Sequence, residues 1–286
     1  MKKLILIGVL CLSLTAVGFS MGFSIKATGG LSLLLGGDYN TIVADQNALA
    51  HTMAGTTVDS EFSKLGMGLD FGGEFIFLFT DSMGIGLGAG YITASKESTL
   101  GLHDGPFIWN RTYTPSVSAI PITLNFHYFL PLGSGLRLHF FAGPGLYITS
   151  VKFDFNTTIP TWLTNFTESF TPDGKLVFGF QGGLGIEIGL SRNIALLLDT
   201  AGRYVNISGL TGPWEITGTF FGLPIPPGTT GTGTFYYAEA LDTGGIYYAY
   251  PTVSTTMPSG AGIRNAREAS ISLSGIQFQT GIRISF

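Results

Sequence analysis

The sequence predicts an all-β fold, a transmembrane, antiparallel, up-and-down β-barrel of eight strands with short turns at one end and long loops at the other. Only 11% of the 286 residues are charged and 45% are hydrophobic, whereas an average soluble domain has about 25% charged residues. After the N-terminus, no apolar run reaches the roughly 20 residues that a spanning helix needs. Eight segments instead alternate apolar with polar or small residues, which is typical of barrel strands.

The N-terminal residues have the pattern of a secretory signal peptide. Lys2 and Lys3 precede an apolar stretch that ends near Val17, and small residues follow it. This order of basic, apolar and small residues is typical of a cleaved signal. We therefore expect residues 1–20 to be removed and residues 21–286 to form one barrel domain, with a retained N-terminal anchor as the alternative. The single cysteine lies inside this signal, so we expect no disulfide in the mature chain.

The eight segments share one arrangement of side chains. One face carries large apolar residues, and the other carries glycine, polar or charged residues. An eight-stranded barrel is too narrow to enclose so many large side chains, so the apolar face is expected to meet lipid. A soluble sandwich or lipocalin-type barrel would have the reverse pattern. The segments are residues 22–35, 65–79, 83–93, 117–130, 136–151, 176–190, 194–206 and 276–286.

The connections alternate between short and long. Short periplasmic turns and long extracellular loops are the topology of bacterial barrels, and an even number of strands places both termini in the periplasm. The last loop, at about 207–269, is far longer than ordinary connections. Within it, residues 214–221 and 234–241 have strand character, and they would extend the barrel above the membrane or make it ten-stranded. We expect eight strands.

Parity along the strands places eight charged side chains in the lumen, four of them acidic and four basic. Buried charges persist when they are paired, so the expected role is a plug of salt bridges, with an ion-selective constriction or an acid–base pair as alternatives. Glu187 and Asp199 lie six residues on either side of Asn193, so the hairpin is expected to set them side by side with Arg283 or Arg137 as the cation. The eight residues are Lys26, Asp70, Glu74, Arg137, Glu187, Asp199, Arg203 and Arg283.

Two histidines are also expected in the lumen. His127 and His139 are symmetric about Gly133 and have lumen parity. Two imidazoles bind a metal when a third ligand is near, but a hydrogen-bonded pair is the expectation. His51 and His103 fall in loops and have no nucleophile motif beside them. The sequence thus predicts no catalytic residue, metal or cofactor, and the chain is not expected to be an enzyme. A hydrolase of the lumen or loops is the distant alternative.

Four segments resemble the small outer-membrane β-barrel family of OmpA, OmpX and OmpW. They are 120–128 (IPITLNFHY), 141–146 (FAGPGL), 179–187 (GFQGGLGIE) and 281–286 (GIRISF). The last is the most specific, because a terminal Phe286 preceded by alternating apolar residues resembles the signal that the barrel-insertion machinery reads. The resemblance implies that this machinery is a partner during biogenesis, and that outer-membrane lipid and lipopolysaccharide surround the barrel. The residues of this signal are Phe278, Ile282, Ile284 and Phe286.

These observations favour a structural or surface-interaction protein of the bacterial outer membrane. The last loop is rich in aromatic residues, which either pack the loop on itself or mark a binding surface. Self-packing is the expectation, and capture of an extracellular ligand through the loops is the alternative. A narrow passive channel for small or apolar solutes is the alternative, favoured by the inward glycines of the third strand. Removal of the two signal lysines leaves 12 basic against 18 acidic residues, which argues against a nucleic-acid partner.

Overall fold

The computed structural model describes residues 22–53, 55–241, 245 and 247–286, and the predicted signal peptide lies outside this part of the chain. Nearly all of the described elements are strands. In chain order they are β1 (Gly22–Leu34), α1 (Asp38–Thr52), β2 (Thr57–Ser60), β3 (Met67–Leu78), β4 (Met83–Ser95), β5 (Ser98–Asp104), β6 (Phe107–Gly133), β7 (Leu136–Ile159), a 3₁₀ turn (Pro160–Trp162), β8 (Thr164–Phe170), β9 (Lys175–Gly189), β10 (Ile194–Tyr204), β11 (Asn206–Ile207), β12 (Thr211–Phe220), β13 (Leu223–Pro224), β14 (Thr230–Leu241), β15 (Tyr247–Ser254), β16 (Ile263–Glu268), β17 (Ile271–Ser272) and β18 (Gly275–Ser285).

Eight of these strands close into an antiparallel ring, in the order β1, β3, β4, β6, β7, β9, β10 and β18. The ring closes because β18 pairs with β1, with Ser285 opposite Ser24. The prediction of eight strands is therefore confirmed. Three tight turns, between β3 and β4, β6 and β7, and β9 and β10, lie at the end that also holds the termini of the described chain. We call this the turn end and the opposite end the loop end.

Side chains along each barrel strand alternate between the outer wall and the lumen, as the sequence predicts. Along β1, the side chains of Ile25 and Leu31 are exposed on the outer wall, whereas those of Lys26 and Ser32 are buried in the lumen. The same alternation holds along β18, where Phe278 is exposed and Arg283 is buried. A fully paired ring with an apolar exterior satisfies every backbone polar group without water, as a membrane requires.

The long loops are more ordered than the sequence predicts. Strands β6 and β7 continue ten and eight residues past the predicted ends, through residues 107–116 and 152–159. Together with α1, β2, β5, β8 and β11 to β17, these extensions form what we call the loop domain. Its sheet runs β15, β14, β12, β8, β7, β6, β5, β2, and α1 contacts both edge strands, β2 and β15.

Helix α1 was not anticipated, because residues 36–64 were expected to be a loop. Its Tyr39, Ile42 and Val43 are almost fully buried, and their i, i+3, i+4 spacing puts them on one helical face. They join a core that includes Phe62 and Tyr113, whose rings stack with centroids 4.1 Å apart. Tertiary burial therefore stabilises a helix for which local sequence signals are weak.

None of the helices in the described part of the chain is long and apolar enough to cross a membrane.

Candidate functional site

The lumen of the ring contains three connected groups of charged side chains. Nearest the turn end is an arginine–glutamate–arginine triad, next comes a chain of carboxylates and imidazoles, and nearest the loop end is an arginine–aspartate pair. All eight lumen charges named from the sequence participate in these groups. Strand alternation places them inside, because every second residue of a barrel strand faces the lumen.

The triad joins β7, β9 and β18 through one carboxylate. Glu187 Oε2 lies 2.8 Å from Arg137 Nη2, and Glu187 Oε1 lies 2.9 Å from Arg283 Nε. A second Arg283 nitrogen, Nη2, donates a hydrogen bond to Glu187 Oε2 at 2.9 Å, so two nitrogens of one guanidinium lie within ion-pair distance of the carboxylate. The side chains of Glu187 and Arg283 are 1% and 3% exposed, whereas Arg137 is 31% exposed. Both guanidinium groups also lie near the ring of Phe129, at 5.3 and 5.2 Å.

The middle group is a chain that crosses the lumen from β3 to β10. Glu74 Oε1 lies 2.9 Å from His127 Nε2, and His127 Nδ1 lies 2.7 Å from His139 Nε2. His139 Nδ1 then faces Asp199 Oδ1 at 3.7 Å, and Asp199 pairs with Lys26 at 2.7 Å. The contact between His139 and Asp199 is therefore longer than a hydrogen bond, whereas the other contacts of the chain are 2.9 Å or shorter.

The third group closes the lumen below the core of the loop domain. Arg203 Nη1 lies 2.7 Å from Asp70 Oδ2. The two Asp70 oxygens also accept hydrogen bonds from Ser32 Oγ at 3.1 Å and Gln279 Nε2 at 3.0 Å. Arg203 donates further to Gln277 and to the backbone carbonyl of Leu273. These bonds satisfy the buried carboxylate and guanidinium, which would otherwise be costly to bury.

The inward glycines of β4 do not leave an open passage. A Cβ at Gly86 would collide with Glu74 Oε1 and His127 Nε2, and one at Gly88 would lie 2.7 Å from Thr123 Oγ1. These glycines therefore make room for the charged and polar side chains of neighbouring strands. The space that remains between the middle and third groups is a cavity of about 60 Å³, enough for a few water molecules.

One contact expected from the sequence is wrong. Glu187 and Asp199 are not side by side, because the β9–β10 hairpin is centred on Arg192, which places Leu197 opposite Glu187 and Gly185 opposite Asp199. The residue opposite each carboxylate is therefore shifted by two positions from the expected one. An even shift keeps both carboxylates in the lumen, but each has different partners. Glu187 pairs with the two arginines and Asp199 pairs with Lys26.

The four histidines occupy two settings. The lumen pair, His127 and His139, is stacked with ring centroids 5.0 Å apart, and His127 has a partner at both ring nitrogens. Among the described residues, no group of three histidine, cysteine or acidic side chains is arranged to hold a metal. In the loop domain, His51 lies 2.8 Å from Glu61, and His103 lies 2.8 Å from Asp59. Both are exposed pairs, and the absence of enzymatic activity stays a prediction.

The predicted insertion signal lies on the outer wall of β18. Phe278, Ile282 and Ile284 are exposed there, and Phe286 stacks on Phe23 with centroids 4.8 Å apart. The backbone N–H of Phe286 donates to the carbonyl of Phe23 at 2.9 Å. The last residue thus completes the seam that closes the ring. Recognition of these residues by the insertion machinery stays a prediction.

The ring and its lumen define the class of this protein. A closed ring of eight antiparallel strands with an apolar outer wall and a charged interior is an outer-membrane β-barrel. No family model matches the sequence, and no curated protein matches it.

Solved structures similar to this chain include three outer-membrane proteins. The outer membrane protein OprG from Pseudomonas aeruginosa is 14% identical, with a TM-score of 0.38 over 94% of this chain and 98% of that chain. A major outer membrane protein from Thermus thermophilus is 13% identical, with a TM-score of 0.32 over 93% and 100%. The outer membrane protease OmpT from Escherichia coli is 10% identical, with a TM-score of 0.34 over 94% and 99%. Similarity at this level carries no information on function.

Proposed function

We propose that this protein is a surface-interaction protein of the bacterial outer membrane, in which a closed barrel anchors the loop domain on the cell exterior. The single observation that carries the proposal is the obstruction of the lumen by three groups of paired charges. Directly above them, a buried apolar core contains Tyr147 and Val151 at the loop end of the barrel and Phe153 in the loop domain. Ions would have to displace these paired side chains and then cross an apolar region.

The orientation follows from the two unequal ends of the barrel. In bacterial outer-membrane barrels the short turns face the periplasm and the long loops face outward. Both ends of the described chain lie at the turn end, where β1 begins and β18 ends. Both termini would therefore be periplasmic, and the loop domain would meet the extracellular medium. Lipid and lipopolysaccharide would contact the outer wall, and the insertion machinery would be a partner during assembly.

Single-channel recording in a planar lipid bilayer tests the closed lumen. The expected result is no steady conductance from a barrel whose folded state and insertion are verified by its unheated mobility on a denaturing gel. The matched variant replaces Arg137, Glu187 and Arg283 together by alanine, which removes the whole triad, with no charge of the triad left unpaired. Steady, reproducible openings of the unmodified protein would overturn the proposal.

A narrow passive channel is the second candidate, and one observation favours it. A cavity of about 330 Å³ opens at the turn end and reaches Arg137, Glu187 and Arg283. Solvent therefore reaches the first group of charges from one side. If the unmodified barrel conducts and the triad variant changes its ion selectivity, this cavity would be the vestibule of a pore and the triad its constriction.

A further inference from the structure

The loop domain contains a cleft of about 350 Å³, within the range of small-molecule sites in proteins. It lies between the inner faces of β6, β7, β8 and β12 on one side and β15 on the other. We call it the loop-domain cleft and define it by Arg111, Tyr113, Phe155, Glu168, Trp214 and Val253. None of these residues belongs to the lumen, and the loop-end core of the barrel separates the two.

One polar pair is built into this aromatic surface. Arg111 Nη2 donates to Glu168 Oε2 at 3.1 Å, with the two side chains 29% and 34% exposed. The guanidinium lies over the rings of Tyr113 and Phe155, at 5.1 and 5.6 Å from their centroids. Tyr113 donates to Gln46 Oε1 at 3.0 Å, and burial raises the pKa of its hydroxyl. The guanidinium of the pair thus lies against two aromatic rings that pack edge to face, with centroids 4.6 Å apart.

The opposite part of the cleft carries the indole of Trp214. Its ring packs against the backbone of Gly231, where a Cβ would lie 2.7 Å from three indole atoms. Any larger residue at position 231 would displace this ring. Trp214 is only partly buried against the core of the loop domain, and it lines the cleft. The position of the indole is therefore set by a glycine on the adjacent strand, β14.

The charged pair and the aromatic rings of the cleft limit the class of ligand that it can bind. A charged ligand would have to separate the Arg111–Glu168 pair and leave one partner uncompensated, which is costly in a half-buried setting. A purely apolar ligand would cover the pair without bonding to it. Arg111 Nε is already buried without a hydrogen-bond partner among the described residues, and its N–H group would donate to a neutral oxygen. A neutral ring with several hydroxyl groups meets these conditions, because its hydroxyls both donate and accept and its C–H face packs on an indole.

We propose that the loop-domain cleft binds the pyranose ring of a neutral saccharide, with Arg111 donating to its hydroxyl oxygens, Glu168 accepting from its hydroxyl groups, and Trp214 packing against its apolar face. The proposal rests on the surface-interaction function and names the ligand class for it.

Saturation-transfer NMR tests this with the purified full-length barrel in an amine-oxide detergent, which has no sugar headgroup. The probes are the methyl glycosides of glucose, galactose, mannose and N-acetylglucosamine. We expect at least one to bind, and we expect Arg111→Gln to weaken it by about tenfold or more, the usual cost of a charged hydrogen bond. Trp214→Leu is the second variant and should also weaken binding. The matched control is Arg264→Gln, which removes the guanidinium that pairs with Glu239 elsewhere in the loop domain.

Each outcome bears on the proposal. Binding that is lost in Arg111→Gln and Trp214→Leu but retained in Arg264→Gln supports it. Absence of binding by all four glycosides, or equal binding by every variant, overturns it. Binding of the apolar dye N-phenyl-1-naphthylamine in the cleft without any glycoside binding assigns a different ligand class and also overturns it. Conductance of the barrel is measured separately, so failure of the saccharide site is distinguishable from failure of the closed-lumen function.

Discussion

Replacement of Glu187 by glutamine tests how much the lumen depends on its paired charges. The substitution keeps the side-chain volume and removes the one carboxylate that, within the described part of the chain, contacts Arg283, whose side chain is 3% exposed. Loss of one partner of a buried ion pair costs about 3–5 kcal/mol, because the other charge stays buried and unpaired. Arg137 reaches solvent, so it recovers hydration, and we expect a value near the lower end, about 3 kcal/mol.

The assay is urea unfolding of the barrel in lipid vesicles, followed by unheated mobility on a denaturing gel. Tryptophan fluorescence would not report on the lumen, because all three tryptophans, Trp109, Trp162 and Trp214, lie in the loop domain. The control is Asp154→Asn in the Lys152–Asp154 pair, in which the lysine is exposed and the aspartate half-buried, and it is expected to cost about 1 kcal/mol or less.

A double variant separates the charge effect from a packing effect. Glu187→Gln combined with Arg283→Gln removes the carboxylate and the buried cation together, so part of the lost stability should return. Equal costs for Glu187→Gln and Asp154→Asn would refute the reasoning. So would strict additivity of the two lumen substitutions.

Three further outcomes are expected. Gly86→Ala inserts a methyl group against the carboxylate and imidazole that face it, and it should destabilise the barrel by about 1–3 kcal/mol. Gly73→Ala is the control and should not destabilise it, because a Cβ there has its nearest neighbour at 3.8 Å. The same urea assay compares the two variants. Deletion of Phe286 should lower assembly in cells while leaving refolding in vitro largely unchanged, as gel mobility would show. Hydrogen bonds from Asn265 and Arg264 lower the pKa of Glu239 below its ordinary value of 4.5. Its contribution to the stability of the loop domain should therefore be present above pH 4.5 and be lost as the pH falls through the lower folded value. Urea unfolding followed by tryptophan fluorescence would detect this loss, and Glu239→Gln would abolish it.

The barrel was predictable because its signal is local. In a strand, the side of the sheet that a residue faces depends only on whether its position is odd or even, so Lys26 and Glu187 were assigned to the lumen without any knowledge of their neighbours. The pairing of those charges was not predictable in the same way. The hairpin between β9 and β10 is centred one residue earlier than expected, and this shift separates Asp199 from Glu187.

The loop domain, in contrast to the barrel, was not predictable from local sequence signals. Its helix depends on burial of Tyr39, Ile42 and Val43 against strands that are distant in sequence, and the isolated segment has little helical signal. The proposed saccharide cleft joins Arg111 to Glu168, which are 57 residues apart. No spacing rule relates two such positions until β7 is placed between β6 and β8.

Composition and a two-residue period were thus enough to predict the membrane character, the eight strands of the ring and the two faces of each strand, because both signals act within a segment. The pairing of the charges, the accommodation of side chains beside the inward glycines, and the folding of the long loops into a domain with a cleft could be seen only in three dimensions. Those features depend on register and on contacts between distant segments, and a shift of one or two residues in a hairpin is enough to change every partner across it.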